Sequence, residues 1–283
     1  MGKNMKILVT GANGYIGSNV VKALLNKGHE VVACDVRTEN VDKRARTMAC
    51  DIFEEKGETD IFRYAGCPDV CLHLAWRDGF VHNSDKHILD LPKHYTFLTS
   101  MMNSGLKHLA VMGTMHEVGY HEGAIDENTP CHPQSLYAIA KNTLREALFL
   151  TARDKDYTFQ WLRGFYIYGD DVRNHSIFTK LLEADKEGKQ EFPFTTGKNQ
   201  YDFMSVDELA EQISAAILQD KVKGIINCCT GRPVSLAEMV ERFIKGNGLR
   251  IRLKYGAYPD RPYDSPCIYG DNTKIQQIIQ AQK

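Results

Sequence analysis

One stretch limits this chain more than any other. The run G-A-N-G-Y-I-G, carrying Gly11, Gly14 and Gly17, lies between a short apolar segment, Lys6–Thr10, and a segment with helical spacing, Tyr15–Lys27. A glycine-rich turn that joins a strand to a helix leaves the first helical N–H groups free. It also presents the positive end of the helix dipole, so it favours an anion. Gly11 permits the tight turn, Gly14 the approach of backbone to a pyrophosphate, and Gly17 close packing of helix on strand. Asn13, Tyr15 and Ile16 complete the candidate cradle. Asp35 ends the next apolar run, Glu30–Asp35, where a carboxylate accepts from the 2′-hydroxyl of an adenosine ribose. These positions predict a dinucleotide site. A 2′-phosphate would be repelled by Asp35, so NAD is favoured; Arg37, two positions on, keeps NADP as the alternative. Asp51 and Ile52 follow the presumed third strand and are candidates to hold adenine by a hydrogen bond and an apolar contact.

Strand and helix signals keep alternating through the first two-thirds. Asp69–Ala75, His108–Gly113 and Phe159–Arg163 read as strands; His87–Ser104 and Ser135–Arg153 have helical spacing. Such alternation predicts crossover units and an α/β fold: a Rossmann-type, doubly wound parallel sheet with ligands at the carboxyl ends of its strands. The last third differs. Asp170–Phe203 is more polar and reads as irregular, Val206–Leu218 as helix and Gly224–Gly231 as strand. Pro259, Pro262 and Pro266 interrupt the tail before a final helical signal over Thr273–Gln280. The expected organisation is a dinucleotide-binding domain of residues 1–169 plus 204–231. A small C-terminal substrate-binding lobe of 170–203 plus 232–283 completes it.

Composition narrows the function classes. The 283 residues carry a formal net charge of −1, which argues against nucleic acid as partner, because phosphate binding needs a clustered cationic excess. No apolar run approaches the ~20 residues of a membrane span. The start, MGKNMKILVT, is too short in apolar residues for a signal peptide. The eight cysteines are scattered without a C-x-x-C pair, so no metal site is expected; reduced thiols in a cytoplasmic protein are.

Tyr137 and Lys141 form Y-A-I-A-K on the long helix, and an i,i+4 pair shares one helical face. A phenol is a poor base at neutral pH. An ammonium about 4 Å away contributes roughly 4 kcal/mol at an effective dielectric of ~20, about three pKa units. The pair therefore predicts a phenol that gives and takes a proton. Thr114 follows the strand His108–Met112, at a carboxyl end, where its hydroxyl is placed to hold a substrate oxygen and orient Tyr137.

With these residues in view, the chain resembles an extended short-chain dehydrogenase/reductase of the NAD-dependent epimerase/dehydratase family, most of whose members modify nucleotide-diphosphate sugars. The resemblance spans nearly the whole chain. It rests on G-A-N-G-Y-I-G, Asp51–Ile52, H-L-A (His73–Ala75), Thr114 before E-V-G and Y-A-I-A-K. Further matches are L-R-G-F-Y-I-Y-G (Leu162–Gly169), Y-D-F-M-S-V-D-E (Tyr201–Glu208) and D-R-P-Y-D (Asp260–Asp264). It implies that Thr114, Tyr137 and Lys141 are the catalytic triad, that Lys141 also grips the nicotinamide ribose, and that Leu74 and Ala75 border the cofactor. Arg261 matches the late arginine that meets the diphosphate, a role suited to a bidentate guanidinium. His116, Tyr166 and Tyr201 fall at substrate-binding positions.

The chain departs from the family pattern at Asp90, Tyr166 and Tyr201, where Asn, Asn and Arg are usual. The acidic pair that dehydratases carry after the catalytic Thr is replaced by Met115 and His116, which argues against removal of water. His175 falls roughly where some epimerase-reductases carry a proton-transferring histidine. The expected chemistry is hydride exchange at a secondary alcohol or ketone, C4 of a hexose. A 4-keto-6-deoxyhexose-type reductase is favoured; a 4-epimerase with tightly bound NAD and a non-catalytic dinucleotide sensor are the alternatives. The helices Leu91–Ser104 and Ser135–Arg153 match those that build a four-helix interface in the family, which implies a homodimer.

Overall fold

The structure is a computed structural model that describes residues 4–54, 60–153, 155–169, 176–260 and 264–283. In chain order the first elements are β1 (Lys6–Thr10), α1 (Tyr15–Asn26), β2 (Glu30–Asp35), β3 (Arg46–Ala49), α2 (Ile61–Tyr64) and β4 (Val70–His73). Next come α3 (Lys86–Leu89), α4 (Leu91–Asn103), β5 (His108–Thr114), a single 3₁₀ turn (Met115–Glu117), β6 (Gly123–Ile125) and α5 (Leu136–Ala152). They are followed by β7 (Thr158–Gly164), β8 (Tyr166–Tyr168), α6 (Ile177–Lys186), β9 (Glu191–Pro193), β10 (Gln200–Ser205) and α7 (Val206–Ile217). The last are β11 (Gly224–Cys228), β12 (Pro233–Ser235), α8 (Leu236–Gly246), β13 (Arg252–Lys254), β14 (Cys267–Gly270) and α9 (Thr273–Ala281).

Among the described residues the main sheet has seven strands in the order β11-β7-β5-β4-β1-β2-β3, and every neighbouring pair is parallel. A parallel sheet must be covered on both faces, and side chains alternate across a strand. Ile7 and Val9 of β1 accordingly join one core with Val20 and Leu24 of α1, Leu209 and Ile213 of α7 and Ile275 of α9. Leu8, between them, joins the opposite core with Leu98 and Met101 of α4, Leu144 and Leu148 of α5 and Trp161 of β7. Chain order reverses between β1 and β4, and the crevice that opens there is where such sheets take ligands.

The second sheet runs β12-β10-β14-β6, with β8 beside β10, and covers a third core containing Phe178, Phe203, Val240, Phe243 and Ile268. Its strands come from far apart in the chain. β9 and β13 form a separate parallel pair. The helix starts follow side-chain capping: Ser135, Ser176, Ser205 and Ser235 each accept from the N–H three residues on.

Two sequence expectations change. The single helix over His87–Ser104 is two helices that meet at Asp90, with Pro92 in the first turn of the second, where its missing N–H costs nothing. The stretch expected to be irregular contains α6, which buries Phe178, Leu181 and Ala184 beneath the smaller sheet.

Candidate active site

The cradle forms at the carboxyl end of β1. Gly11 has φ +69°, and a Cβ there would stand 2.6 Å from the Ala75 nitrogen; a Cβ on Gly17 would stand 2.1 Å from the Gly11 carbonyl oxygen. Glycine is thus required at both positions, and the turn closes through the Gly14 N–H donating to that same carbonyl (3.1 Å). Gly14 caps α1 without any side chain over the helix end. Leu74 donates its N–H to the Thr10 carbonyl (3.1 Å), which fixes the chain after β4 beside the cradle. Ile16 packs on the core below, and the Tyr15 ring points to Gly169, whose absent Cβ makes room for it.

Asp35 does more than the sequence suggests. Its carboxylate accepts from the Asn13 N–H (3.0 Å) and the Val36 N–H (2.8 Å), so it ties the glycine turn to the end of β2. Each oxygen keeps a lone pair for a ribose hydroxyl. The Asn13 side chain accepts from the Asn40 N–H (2.8 Å). Arg37 is exposed and pairs with Glu39 at 3.8 Å. Asp51 accepts from the Phe53 N–H (2.9 Å), and Ile52 packs half-buried at the rim of the second core. A turn that no side chain can enter, free helical N–H groups and a rim carboxylate fit a dinucleotide pyrophosphate and ribose.

Thr114 ends β5 and caps the 3₁₀ turn in a capping box: its side chain accepts from the His116 N–H (3.3 Å), while Glu117 accepts from the Thr114 N–H (2.8 Å). Tyr137 lies in the first turn of α5, close enough to the Thr114 side chain for that hydroxyl to lower its pKa. One turn on, Lys141 donates to the Met112 carbonyl (2.7 Å) and lies 6.0 Å from the Tyr137 ring centre. The structure therefore brings Thr114, Tyr137 and Lys141 together at the carboxyl end of β5.

The expected electrostatics are revised. Burial raises the Tyr137 pKa above its ordinary value, and Glu117 adds to the rise, against the lowering by Thr114. Burial also pushes Lys141 down to about 7, with Glu117 opposing. The assumption of a fully charged ammonium about 4 Å away overlooked that both groups lose their water together.

Several residues that periodicity left unassigned surround the phenol. His82 stacks on Tyr137 (centroids 5.5 Å apart, planes 14°), and its carbonyl accepts from the Tyr137 N–H (2.9 Å). His116 meets His82 edge-on at 4.8 Å; burial, with His82 contributing, pushes it down to about 4, so it is a neutral ring at neutral pH. Tyr166 tilts against Tyr201 at 4.4 Å and faces His116 at 6.4 Å. Asn199 donates to the Tyr201 hydroxyl (3.3 Å). Asp90 takes a bidentate contact from Arg77 and a third from Lys93 (3.0 Å). Arg261 and His175 lie outside the described residues.

Beneath Thr114, Glu117 is fully buried. It accepts from Trp161 Nε1 (2.9 Å) and pairs with Arg163 (3.6 Å) and Arg145 (3.8 Å). Gly113 makes this possible: a Cβ there would lie 2.0 Å from the Trp161 Nε1. The T-M-H-E spacing is a capping-box signature and, with the E-V-G match, is a sequence signal that marks Glu117.

Comparison with known proteins bears on the family and the fold. The model of the NAD dependent epimerase/dehydratase family matches residues 7–229. The dTDP-6-deoxy-L-talose 4-dehydrogenase (NAD(+)) of Aggregatibacter actinomycetemcomitans is 46% identical over 272 residues, covering 94% of this chain and 99% of that protein. Among solved structures, the UDP-glucose 4-epimerase of Thermus thermophilus, in complex with NAD, superposes with a TM-score of 0.80 at 23% identity, covering 96% of this chain and 92% of that one. The UDP-glucuronic acid 4-epimerase of Bacillus cereus, in complex with UDP-glucuronic acid and NAD, gives 0.81 at 24% identity, covering 98% and 93%. These last two likenesses establish the fold. By the family match and the 46% relative, the chain belongs to the NAD dependent epimerase/dehydratase family.

Proposed function

We propose that this chain is an NAD-dependent oxidoreductase acting at C4 of a nucleotide-diphosphate 6-deoxyhexose, working as a 4-keto reductase. The observation that carries the reading is the Thr114–Tyr137–Lys141 constellation at the carboxyl end of β5, beside a glycine cradle at the carboxyl end of β1. Gly11, Asn13, Gly14, Tyr15, Ile16 and Gly17 hold the pyrophosphate; Asp35 holds the adenosine ribose and disfavours a 2′-phosphate. Asp51, Ile52, Leu74 and Ala75 border the adenine and the ribose, and Arg37 stands at the rim. NAD, when bound, supplies or accepts the hydride. Tyr137 gives its phenolic proton to the C4 oxygen in reduction and takes it back in oxidation. Thr114 steadies that oxygen, and Lys141 sets the phenol and binds the nicotinamide ribose.

The wall around the phenol supports the choice of sugar. Among the described residues, the rings near it are Trp76, His82, His87, His116 and, beyond His116, Tyr166 and Tyr201. His82 and His116 are both held toward the neutral form by burial. A largely uncharged aromatic wall favours a C5 methyl over a carboxylate at that place. The 46% relative is named for a dTDP-linked 6-deoxyhexose and reaction at C4, which supports the same class.

Arg261 is assigned to the diphosphate on the resemblance alone. The dinucleotide-binding part comprises 1–169 plus 204–231 and the sugar part 170–203 plus 232–283, with β6 crossing to the smaller sheet and α9 returning to pack against α7. No described helix is long and apolar enough to cross a membrane. All eight cysteines are free thiols, which suits the cytoplasm of the proposal.

The test is a panel of nucleotide sugars and their 4-keto forms incubated with NADH and NADPH. Stoichiometric NADH oxidation by a dTDP-4-keto-6-deoxyhexose is expected, with NADPH much slower. Interconversion of 4-epimers without net change in cofactor would replace the reductase by an epimerase. Binding of NADH without any turnover would leave only a dinucleotide sensor.

The protein is also proposed to be a homodimer through α4 and α5. Ile139 and Leu150 stand exposed on one face of α5, and the exposed Tyr95 of α4 is tied to Thr151 of α5 (3.0 Å). Sedimentation is expected to give twice the chain mass; a monomer at micromolar concentration would refute it.

A further inference from the structure

Lys141 has an unusual neighbour. Its ammonium lies 3.8 Å from the centre of the Trp76 indole, over the ring face, while its hydrogen bond goes to the Met112 carbonyl (2.7 Å). Trp76 is itself clamped. Its Nε1–H donates to His87 Nδ1 (3.0 Å), and its ring stacks on His94 at 4.2 Å with planes 16° apart. His94 is held in turn by His73 (2.8 Å), and His73 by the Thr10 hydroxyl (2.8 Å). The indole also meets the Tyr137 ring edge-on at 6.1 Å, so one side chain touches both members of the pair. A tryptophan needed only to fill space would not require both its N–H and its face to be fixed against an ammonium.

We propose that Trp76 is a positioning residue of this site, its indole face holding the Lys141 ammonium charged and in place beside Tyr137. The inference rests on the catalytic reading above and deepens it. The groups facing Lys141 leave the ring this task. From β4 and α4, His73 and His94 are both driven to the neutral form, chiefly by burial, so neither places a like charge beside the ammonium, and a histidine cannot supply an opposite one. From α5 comes the neutral phenol of Tyr137. From the 3₁₀ turn comes Glu117, the one carboxylate among the described residues that acts on Lys141, and it is already shared with Arg145 and Arg163. Arg77 and Lys93 lie beyond His94 and are themselves paired with Asp90. Against that balance a desolvated cation–π contact is worth about one pKa unit or more.

The sign follows directly. The ring favours the charged ammonium, so without it Lys141 loses its proton at lower pH. Turnover that needs the charged form then falls off earlier as pH rises. In Trp76→Leu the alkaline limb of kcat is expected to move acidward by about one unit, which is about tenfold less turnover at a fixed pH beyond the limb. Trp76→Phe keeps a smaller π face and is expected to move it by less, in the same direction.

The second readout is NMR of the intact protein with lysine labelled at Cε. The Lys141 signal, assigned with Lys141→Arg, is expected upfield of the other lysines through the indole ring current and to titrate below the ordinary lysine range. The upfield shift shrinks in Trp76→Phe, and in Trp76→Leu it vanishes and the midpoint drops. A Lys141 signal among those of exposed lysines, or an alkaline limb unmoved in a folded Trp76→Phe or Trp76→Leu protein, would overturn the proposal. Should Trp76→Leu fail to fold, the phenylalanine variant and the wild-type spectrum decide. Absence of any NADH oxidation by wild type defeats the functional reading instead, and the lysine spectrum still judges the contact.

Discussion

Tyr137→Phe is expected to lower kcat by about 10²–10⁴-fold while leaving NADH affinity within about twofold of wild type. The substitution removes one oxygen. It keeps the ring that stacks on His82 and meets Trp76, and it keeps the backbone N–H that donates to the His82 carbonyl. The cradle at Gly11–Gly17 and Asp35 is untouched. A proton donor is therefore lost without a change in shape, and the deficit is predicted in kcat rather than in binding. Stopped-flow NADH oxidation with direct titration of NADH fluorescence separates the two. Near-wild-type turnover in this variant would remove the phenol from the chemistry and with it the mechanism.

The second large effect concerns stability. Glu117→Ala removes the carboxylate from two guanidiniums: Arg163, fully buried, which among the described residues keeps only a carbonyl contact to Asp126, and Arg145, nearly so, which keeps Glu146 and Asn142. It also deprives the Thr114 N–H and the Trp161 N–H of their acceptor. Breaking a buried ion pair by removing one partner costs about 3–5 kcal/mol, because the remaining charge is left uncompensated. Urea unfolding is expected to show a loss of that order. Glu117→Gln keeps an acceptor oxygen for Thr114 and Trp161 and should fall between wild type and alanine. A loss below about 1 kcal/mol for alanine would mean that water reaches the guanidiniums, contrary to their burial.

Much of the dinucleotide half was legible because its signals are local. The bounds of Lys6–Thr10 and Glu30–Asp35 are those the sequence suggests, since each is an apolar run closed by glycine or a charged end. The glycine turn was legible for the same reason: each glycine answers to a steric demand within a few residues or from the adjacent strand. The i,i+4 spacing of Tyr137 and Lys141 placed them on one face, and Thr114 followed from its strand end. The proton affinities were not legible. They depend on burial imposed by other segments, and that burial raises the phenol and lowers the ammonium.

The aromatic and histidine surround was also hidden. Trp76, His82, His87 and His94 come from the segment between β4 and the end of α4, and no periodicity announces that their rings converge on α5. The short strands of the smaller sheet have three to six residues each, too few for alternation to be read. Their partners come from distant positions, from Asp202 with Pro233 to Gly123 with Ile268.

That pairing bears on how the molecule comes into being. In the smaller sheet, β14 lies between β10 and β6, so it is an interior member and yet the last strand in chain order. During synthesis β6 must wait, its edge unfilled, for residues 267–270 to emerge well over a hundred codons later. The seven-stranded sheet is complete by Cys228 and can assemble beforehand. The nascent polypeptide thus carries every strand of the large sheet before the smaller sheet can close, and α9, which packs on the core of the large one, is added last.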